Sequence, residues 1–272
     1  MKILKRRAMY YQKLIPIKQL QDYIRYFWIL GSSMDDNIHK KFKIIPDGLP
    51  ALIFQNEPNL FFAKEGKAMP QLFLYGQSTK CTEHRVTGAF KIIGVYFQPT
   101  ALKTLFNVEA FELNNQNVSL EHIIDDPILE KLINATSVNE KIDILTYFFL
   151  NLIQKIRYND SKVEFASTLL QRGKTLKEIQ IEMNISERSL ERMTKQYVGI
   201  SPKMFSRIIR FQSGLNILRK TDFKDFTELA YMADYFDQSH YIKEFKEFTG
   251  TNPKNFVLNT NEHLANFPLW KE

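Results

Sequence analysis

Basic side chains are concentrated in one stretch of the chain, residues 186–220, where they could neutralise the phosphates of a nucleic acid. The stretch carries only two acidic residues, Glu187 and Glu191. Its basic residues are Arg188, Arg192, Lys195, Lys203, Arg207, Arg210, Arg219 and Lys220. Lys and Arg contact DNA phosphates, and Arg also reads guanine edges. The net charge of +7 permits a nucleic-acid or an anionic-lipid partner and does not choose between them.

The second chemistry that the sequence could support is the reaction of a nucleophilic cysteine. Cys81 lies in the segment STKCTEHRV, where His84 and Arg85 could lower the pKa of its thiol. It is the only cysteine, so no internal disulfide can form and a reducing compartment is expected. The five histidines, at positions 39, 84, 122, 240 and 263, show no metal-ligand spacing. The sequence therefore predicts no metal ion and no cofactor, and an inert Cys81 is the preferred interpretation.

An eight-residue pattern occurs twice in the second half of the chain. Residues 198–205 read VGISPKMF and residues 249–256 read TGTNPKNF, a separation of 51 positions. At the same offset Arg192 matches Lys243 and Lys195 matches Lys246. Further back the offset is 50, which places one extra residue in the turn of the second copy. The sequence thus predicts a duplicated structural unit.

The first copy has the signals of two helices joined by a tight turn. Thr175 and Glu178 form a T-x-x-E capping box that predicts a helix start. Asn184 suits the turn, Ser186 the N-cap of the second helix, and Gly199 the end of that helix. A polar, basic second helix is typical of a helix-turn-helix, whose second helix enters the DNA major groove.

The second copy repeats these signals. Asp225 and Glu228 predict a matching capping box, and Asp237 and Gly250 bound the second helix. Between the copies, residues 202–220 predict a long helix with an apolar stripe, a rod of roughly 28 Å. Such a rod can present both second helices to one face of a duplex, where major-groove openings recur about every 34 Å.

The N-terminal half reads differently, as strands followed by helices. KFKIIPDGLPALIFQN has two apolar runs around a Pro-Asp-Gly turn, which predicts a hairpin. LFLYGQ and KIIGVYF predict further strands, and Pro99 predicts a helix start. Residues 119–157 read as helices, with an apolar stripe from Ile142 to Ile156. That stripe either forms a dimer contact or docks onto the β domain.

These patterns predict an α+β chain of three parts. Residues 1–115 form a β-rich, barrel- or sandwich-like regulatory domain, and residues 116–157 a helical linker or dimerisation region. Residues 158–272 form an all-α DNA-binding domain of two helix-turn-helix units joined by a long helix. The polar segment RYNDSK, residues 157–162, is the expected linker.

The duplicated unit resembles the DNA-binding domain of the AraC/XylS family of bacterial transcription regulators, over about residues 160–257. The resemblance rests on ISERSLERMTKQYVGISPKMFSRIIRFQSGLNIL and FTELAYMADYFDQSHYIKEFKEFTGTNPKNF. The family pattern has Ala, Gly and Phe where this chain has Gln180, Asp234 and Thr194. These departures affect how the helices pack and do not change the class of DNA-binding domain that the resemblance implies. The segments PDGLPALIF, LYGQSTK and GAFKIIGVYFQPTALKTLF resemble an N-terminal regulatory domain of one branch of these regulators, whose ligand is generally undefined.

The resemblance implies an effector-responsive transcription regulator that binds double-stranded DNA and works with RNA polymerase. The effector is unknown, and Trp28, Tyr96 and Phe97 either line its pocket or belong to the core. A homodimer is one alternative, because two helix-turn-helix units already let a single chain bind DNA. A cytoplasmic location is expected, because the sequence shows no apolar signal-peptide core and no apolar run long enough to span a membrane.

The predicted DNA contacts follow from position along the two second helices. Their starts and middles reach base edges, whereas their ends and the starts of flanking helices meet phosphate. The predicted base contacts are Arg188, Ser189, Glu191, Arg192, Gln238, Ser239 and Lys243. The predicted phosphate contacts are Lys174, Thr175, Lys195, Lys203, Lys246 and Lys254. Glu191 has an alternative role as the ion-pair partner of Lys195, four residues on, and this pairing is preferred.

A DNA-repair or DNA-modifying enzyme is the alternative function. Some DNA-repair methyltransferases join an alkyl-accepting cysteine to the same kind of DNA-binding domain, and Cys81 would then be the acceptor. Their activated cysteine lies in a short basic motif with metal ligands, which STKCTEHRV does not reproduce. The sequence therefore favours a regulator that is not an enzyme.

Overall fold

The computed structural model describes residues 9–32, 40–86, 88–156, 161–220 and 223–260, and residues 269–270 by their backbone alone. Residues 157–160, the larger part of the expected linker, lie outside the described residues, as do His39 and His263. None of the helices within the described ranges is long and apolar enough to cross a membrane.

Antiparallel strands from the N-terminal half, joined by one strand from residues 269–270, build two sheets. The six-stranded sheet has the order β1-β2-β8-β4-β6-β9, and the four-stranded sheet has the order β10-β3-β7-β5. Their strands are β1 (Tyr10–Leu14), β2 (Ile24–Ser32), β3 (Lys40–Ile44), β4 (Ala51–Gln55), β5 (Phe61–Ala63), β6 (Leu72–Tyr75), β7 (Thr82–Val86), β8 (Phe90–Phe97), β9 (Asn117–Ser119) and β10 (Leu269–Trp270). This arrangement confirms the predicted β-rich N-terminal fold. It also corrects one detail, because β10 lies within residues 158–272, predicted to be all-α, and pairs with β3.

The central strands β2 and β8 are buried on both faces, which explains their uninterrupted apolar sequences. In β2, Phe27 and Ile29 belong to the core under the helices, whereas Trp28 and Leu30 belong to the core between the sheets. Gly94 of β8 lies opposite Trp28, and a Cβ atom there would come within 2.0 Å of the indole ring. The missing side chain therefore lets the Trp28 ring lie across β8.

The predicted Pro-Asp-Gly hairpin is wrong. Strand β3 pairs with β7 and β10, while β4 pairs with β6 and β8, so the two apolar runs lie in different sheets. The connection is instead held by one local hydrogen bond and one long-range packing contact. Asp47 accepts a hydrogen bond from the Leu49 backbone N–H at 3.0 Å, and Ile45 packs into the core of the C-terminal half. The Pro-Asp-Gly residues correctly indicated that the chain changes direction after β3. They did not indicate which strands β3 and β4 pair with.

Three helices cover the outer face of the six-stranded sheet: α1 (Ala101–Phe106), α2 (Ile128–Asn134) and α3 (Val138–Gln154). The predicted apolar stripe lies on α3. Its Phe149 is fully buried and packs against Phe97 of β8, with ring centroids 5.5 Å apart. Docking onto the β domain is therefore what occupies this stripe.

The described residues of the C-terminal half form seven helices around one apolar core: α4 (Ser161–Gln171), α5 (Leu176–Met183), α6 (Glu187–Val198), α7 (Pro202–Lys220), α8 (Phe226–Met232), α9 (Gln238–Thr249) and α10 (Pro253–Asn259). Helices α5–α6 and α8–α9 are the two predicted helix-turn-helix units. The 19-residue helix α7 is the predicted rod between them. Its residues Phe205, Ile208, Phe211, Leu215 and Leu218 are buried in the shared core.

The two halves touch at helices α6 and α7. Gln212 of α7 donates a hydrogen bond to the carbonyl oxygen of Pro46 at 2.6 Å. At the C-terminal end of α6, Gln196 donates to Glu109 at 3.3 Å. Asn114 donates to the carbonyl oxygen of Gly199, the residue that ends α6. The N-terminal half thus holds the first helix-turn-helix unit and the connecting rod.

Candidate nucleic-acid interface

Helix α6 presents one basic face to solvent. Arg188, Arg192 and Lys195 are exposed and follow i, i+4, i+7 spacing, which places them on the same side of the helix. The opposite side carries Leu190 and Val198, which are buried in the core. The helix is therefore fixed by its apolar side, while its basic side faces away from the protein.

Helix α9 repeats this arrangement in the second copy. Ser239, Lys243 and Lys246 are exposed at the same i, i+4, i+7 spacing. Tyr241 and Phe245 are fully buried on the other side. Both helices have 12 residues, and Arg192 and Lys243 are the sixth residue of their helices. The sequence repeat thus corresponds to equivalent positions in space.

The backbone carries the same repeat at the turns. Asn184 and Asp234 both take the left-handed conformation, with φ of 51° and 59°. Gly199 and Gly250 end the second helices with φ of 99° and 73°. Left-handed residues at these places are what make a tight turn and stop a helix. The two units therefore place their second helices by the same local geometry.

Side-chain caps fix where the second helices begin. Ser186 accepts a hydrogen bond from the Ser189 N–H at 3.2 Å, and Asp237 accepts one from the His240 N–H at 2.7 Å. Both caps were predicted from the sequence. The capped ends leave the positive pole of each helix dipole beside the first exposed residues.

The capping boxes of the first helices differ between the copies. In α5 the predicted box of Thr175 and Glu178 is complete. In α8, Asp225 accepts from the Glu228 N–H at 2.9 Å, but Glu228 accepts from the Lys224 N–H at 2.6 Å. The predicted reciprocal bond to Asp225 is therefore wrong. The Asp225 carboxylate caps α8, and the Glu228 carboxylate instead accepts from the N–H of Lys224, the residue before Asp225.

The structure pairs Glu191 with Lys195, as the preferred alternative predicted. Their charged atoms lie 3.1 Å apart. Lys174 makes a similar ion pair with Glu178 at 3.4 Å, beside the Thr175 cap. Lys203 and Lys254 are exposed in the first turns of α7 and α10. Lys174, Lys203 and Lys254 therefore lie on other segments than the two basic faces, which are formed by α6 and α9.

Two arginines of the basic stretch have a structural role that the sequence did not reveal. Arg207 and Arg210 of α7 contact the buried Glu244 of α9 at 2.8 and 3.1 Å. Tyr235 donates its hydroxyl hydrogen to the same carboxylate at 2.9 Å. Burial alone would lower the pKa of Arg207, but Glu247 and Glu244 raise it above its ordinary value. The charge of Arg207 and Arg210 therefore ties α9 to the rod.

Cys81 shows no sign of activation. Burial raises the pKa of its thiol, whereas an alkyl acceptor needs a thiolate. Burial also lowers the pKa of His84 to about 4, so this ring is neutral at pH 7. Arg85 pairs with Glu83 at 3.1 Å. His84 and Arg85 therefore do not activate Cys81. The structure gives the enzyme alternative no support.

A cavity of about 60 Å³ lies between the two sheets. Its wall is mostly aliphatic and aromatic and includes Trp28 and Tyr96, whereas Phe97 lies in the other core. Besides Trp28 and Tyr96, the side chains in the wall that carry polar groups are Gln55, Tyr75, His84 and Asn117. Among the described lining residues there is no Lys, Arg, Asp or Glu. The cavity therefore suits a small uncharged molecule better than an ion.

Two family models match separate parts of the chain. Residues 180–258 match the AraC-type family described as a helix-turn-helix domain. Residues 12–119 match a domain of unknown function, DUF6597. No curated protein sequence matches the chain.

Several solved structures are similar to all or part of the chain. The crystal structure of ToxT from Vibrio cholerae O395 shares 13% identity, covers 85% of this chain and 97% of that one, and has a TM-score of 0.44. The unsaturated fatty acid bound ToxT from strain SCE256 shares 12% identity over 85% of this chain and 95% of that one, with a TM-score of 0.43. A probable AraC family regulator from Rhodopseudomonas palustris CGA009 shares 19% identity over 36% of this chain and 91% of that one, with a TM-score of 0.31.

The family match falls on the segment whose two copies present equivalent exposed faces. Duplicated helices, matching caps and matching stops all lie within or beside residues 180–258. The chain is thus a DNA-binding transcription regulator that carries an AraC-type helix-turn-helix domain in its C-terminal half.

Proposed function

We propose that α6 and α9 bind two successive major-groove segments on one face of a DNA duplex. The observation that carries this proposal is the pair of equivalent faces, Arg188–Arg192–Lys195 on α6 and Ser239–Lys243–Lys246 on α9. Helix α7 sets their separation, and the Glu244 contacts fix α9 against it. One chain would then recognise two half-sites about 10 base pairs apart.

Position along each helix divides the contacts by role. Near the capped starts and middles, base edges would be contacted by Arg188, Ser189, Arg192, Gln238, Ser239 and Lys243. Phosphates would be contacted by Lys174, Thr175, Lys195, Lys203, Lys246 and Lys254. Glu191 would act indirectly, because its ion pair holds Lys195. Phosphate contacts position the protein, and base contacts select the sequence.

Selection from a random duplex library with the full-length protein tests this function. The enriched sites should contain two conserved segments about one helical turn apart. Affinity should fall linearly with salt on a log–log plot, because phosphate contacts release counterions. A protein that enriches no sequence, or whose binding ignores salt, would contradict the proposal.

We further propose that the cavity between the sheets binds a small neutral effector. Gln55 donates from its amide to the carbonyls of Met69 and Pro70 at 2.9 and 2.7 Å, which fixes its orientation. Within the described residues, no donor reaches Gln55 Oε1 or Asn117 Oδ1. An apolar molecule with an O–H or N–H group would therefore be complementary to this wall.

Phenol and benzoate test the effector proposal as a matched pair. Phenol is neutral with one donor, while benzoate is similar in shape and anionic. Phenol should quench Trp28 fluorescence and change DNA affinity, and Trp28→Phe should remove the quenching. Equal responses to both compounds would contradict a neutral site, and no response to either would contradict this ligand class.

The remaining partners belong to the same proposal. We expect the DNA-bound protein to act on RNA polymerase in the cytoplasm, with residues 1–115 as the sensor, 116–157 as the connection and 158–272 as the DNA-binding part. A single chain suffices for binding, because it holds both units. Sedimentation at micromolar concentration, with and without DNA, would distinguish this monomer from a homodimer.

A further inference from the structure

Phe236 is the most exposed large hydrophobic residue among those described, with 83% of its surface open to solvent. It lies in the turn between α8 and α9. In the first copy, one residue, Ile185, separates the left-handed Asn184 from the cap Ser186. In the second copy, Tyr235 and Phe236 separate Asp234 from Asp237. Phe236 is thus the extra residue of the repeat.

The backbone on both sides of Phe236 is firmly held. Tyr235 is buried, and its N–H donates to the carbonyl of Ala230 at 2.9 Å. Its ring packs against His240 with centroids 5.2 Å apart. Asp237 caps α9. The exposure of Phe236 is therefore fixed by an ordered turn, and burying this ring against an apolar group of a partner would be favourable.

The position of Phe236 indicates what covers it. The ring immediately precedes the capped start of α9, beside Gln238 and Ser239, which are proposed base contacts. Thr227 donates its hydroxyl hydrogen to the Gln238 side-chain oxygen at 3.1 Å, which orients that side chain at the same helix end. A recognition helix inserts this end into the major groove. A residue one step before the cap would lie at the same groove edge.

Only one apolar group distinguishes bases in the major groove, and it is the C5-methyl group of thymine. A phenyl ring has no donor for phosphate and none for a base edge. From this geometry we propose that Phe236 reads a thymine methyl group in the half-site bound by α9. The inference rests on the proposed DNA-binding mode and adds a specificity determinant outside the helix itself.

Replacing thymine by uracil tests this contact, because uracil lacks only the methyl group. The probe is the duplex that the full-length protein enriches from a random library, with each dT exchanged for dU in turn. A single buried methyl is worth roughly a fourfold change in affinity. One dU in the α9 half-site should therefore weaken binding about three- to fivefold. Phe236→Ala should bind the dT and dU duplexes equally, and Phe236→Leu should retain part of the difference.

Tyr231→Ala is the matched control, because Tyr231 is also an exposed aromatic residue, 63% open, on the preceding helix α8. This variant should keep the full dT preference. If the wild-type protein enriches no site, the proposed function fails. If it enriches a site but no dU weakens binding, the thymine contact alone is overturned.

Two further outcomes would also overturn it. In the first, Phe236→Ala leaves the dT preference intact and reduces transcription only, which would assign the ring to a protein partner. In the second, Phe236→Ala weakens dT and dU duplexes equally without removing the difference, which would indicate a wedge between base pairs.

Discussion

Asp234 occupies a backbone conformation that suits glycine, the residue that the AraC family pattern has at this place. Its φ is 59°, and Asn184 has the equivalent conformation in the first unit. Side chains other than Gly, Asn and Asp are strained there by about 1–2 kcal/mol. The departure from the family pattern is therefore compatible with the same turn.

A pair of substitutions at this position tests the account of the turn. Asp234→Ala should lower the free energy of unfolding by about 1 kcal/mol, because Ala has no local hydrogen bond to offset the left-handed conformation. Asp234→Gly should match or exceed the wild type. Urea unfolding would measure both, and equal stabilities of the Ala and Gly variants would contradict the explanation.

Arg192 and Lys195 share one exposed face but differ in position along α6. Arg192→Ala should cost about 1–3 kcal/mol on a selected site and relax base preference, because it lies mid-helix over the groove. Lys195→Ala should weaken selected and random DNA alike and lower the salt slope by about one. Lys246→Ala should behave like Lys195→Ala in the second unit.

Titrations of each variant with selected and random duplexes at several salt concentrations would decide. The assignment fails if Arg192→Ala loses affinity equally for both DNAs. It also fails if Lys195→Ala alters base preference.

At the scale of elements, α7 fixes the second recognition helix through one carboxylate. Glu244 is 4% exposed and contacts Arg207 and Arg210, whose side chains are about a quarter exposed. Removing one partner of a buried pair typically costs about 3–5 kcal/mol. Partial exposure of the arginines screens the pair, so the lower end of that range applies here.

Glu244→Gln should therefore lower the free energy of unfolding by about 3 kcal/mol or slightly less. Glu247→Gln is the matched control, because Glu247 contacts the same Arg207 at 2.7 Å but is half exposed. Surface pairs contribute only about 0–1 kcal/mol. Denaturant unfolding of both variants measures the difference, and similar losses would show that burial of Glu244 is unimportant.

The elements also show what the sequence could predict. Helix α7 and the caps Ser186 and Asp237 came from local signals, because capping residues and glycine stops act within a few positions. The strand partners of the Pro-Asp-Gly segment did not, because pairing depends on residues far away in sequence. Glu244 was missed for the same reason. The sequence places Glu244 among the apolar positions of α9, which predicts that a basic residue pairs with it. The sequence does not show that the basic residues are Arg207 and Arg210 of α7.

At the scale of the molecule, the N-terminal half contacts the first helix-turn-helix unit and the rod α7. The residues of the two basic faces take no part in the hydrogen bonds that make this contact. Gln196 and Gly199 meet Glu109 and Asn114 at the C-terminal end of α6. Gln212 contacts Pro46. An effector in the N-terminal cavity could thus influence DNA binding through these contacts, while the charges proposed to contact DNA all lie in the C-terminal half.

A fragment beginning at residue 161 tests this separation of roles. It should bind DNA with the same salt slope as the full chain, because every proposed phosphate contact, from Lys174 to Lys254, lies within it. It should also unfold at lower denaturant concentration, because removing the N-terminal half exposes the side of α7 that packs near Gly48. Parallel salt titrations and urea unfolding of both proteins measure this. A steeper slope for the full chain would place DNA contacts in the N-terminal half. A fragment that binds without salt dependence would contradict the electrostatic basis of the interface.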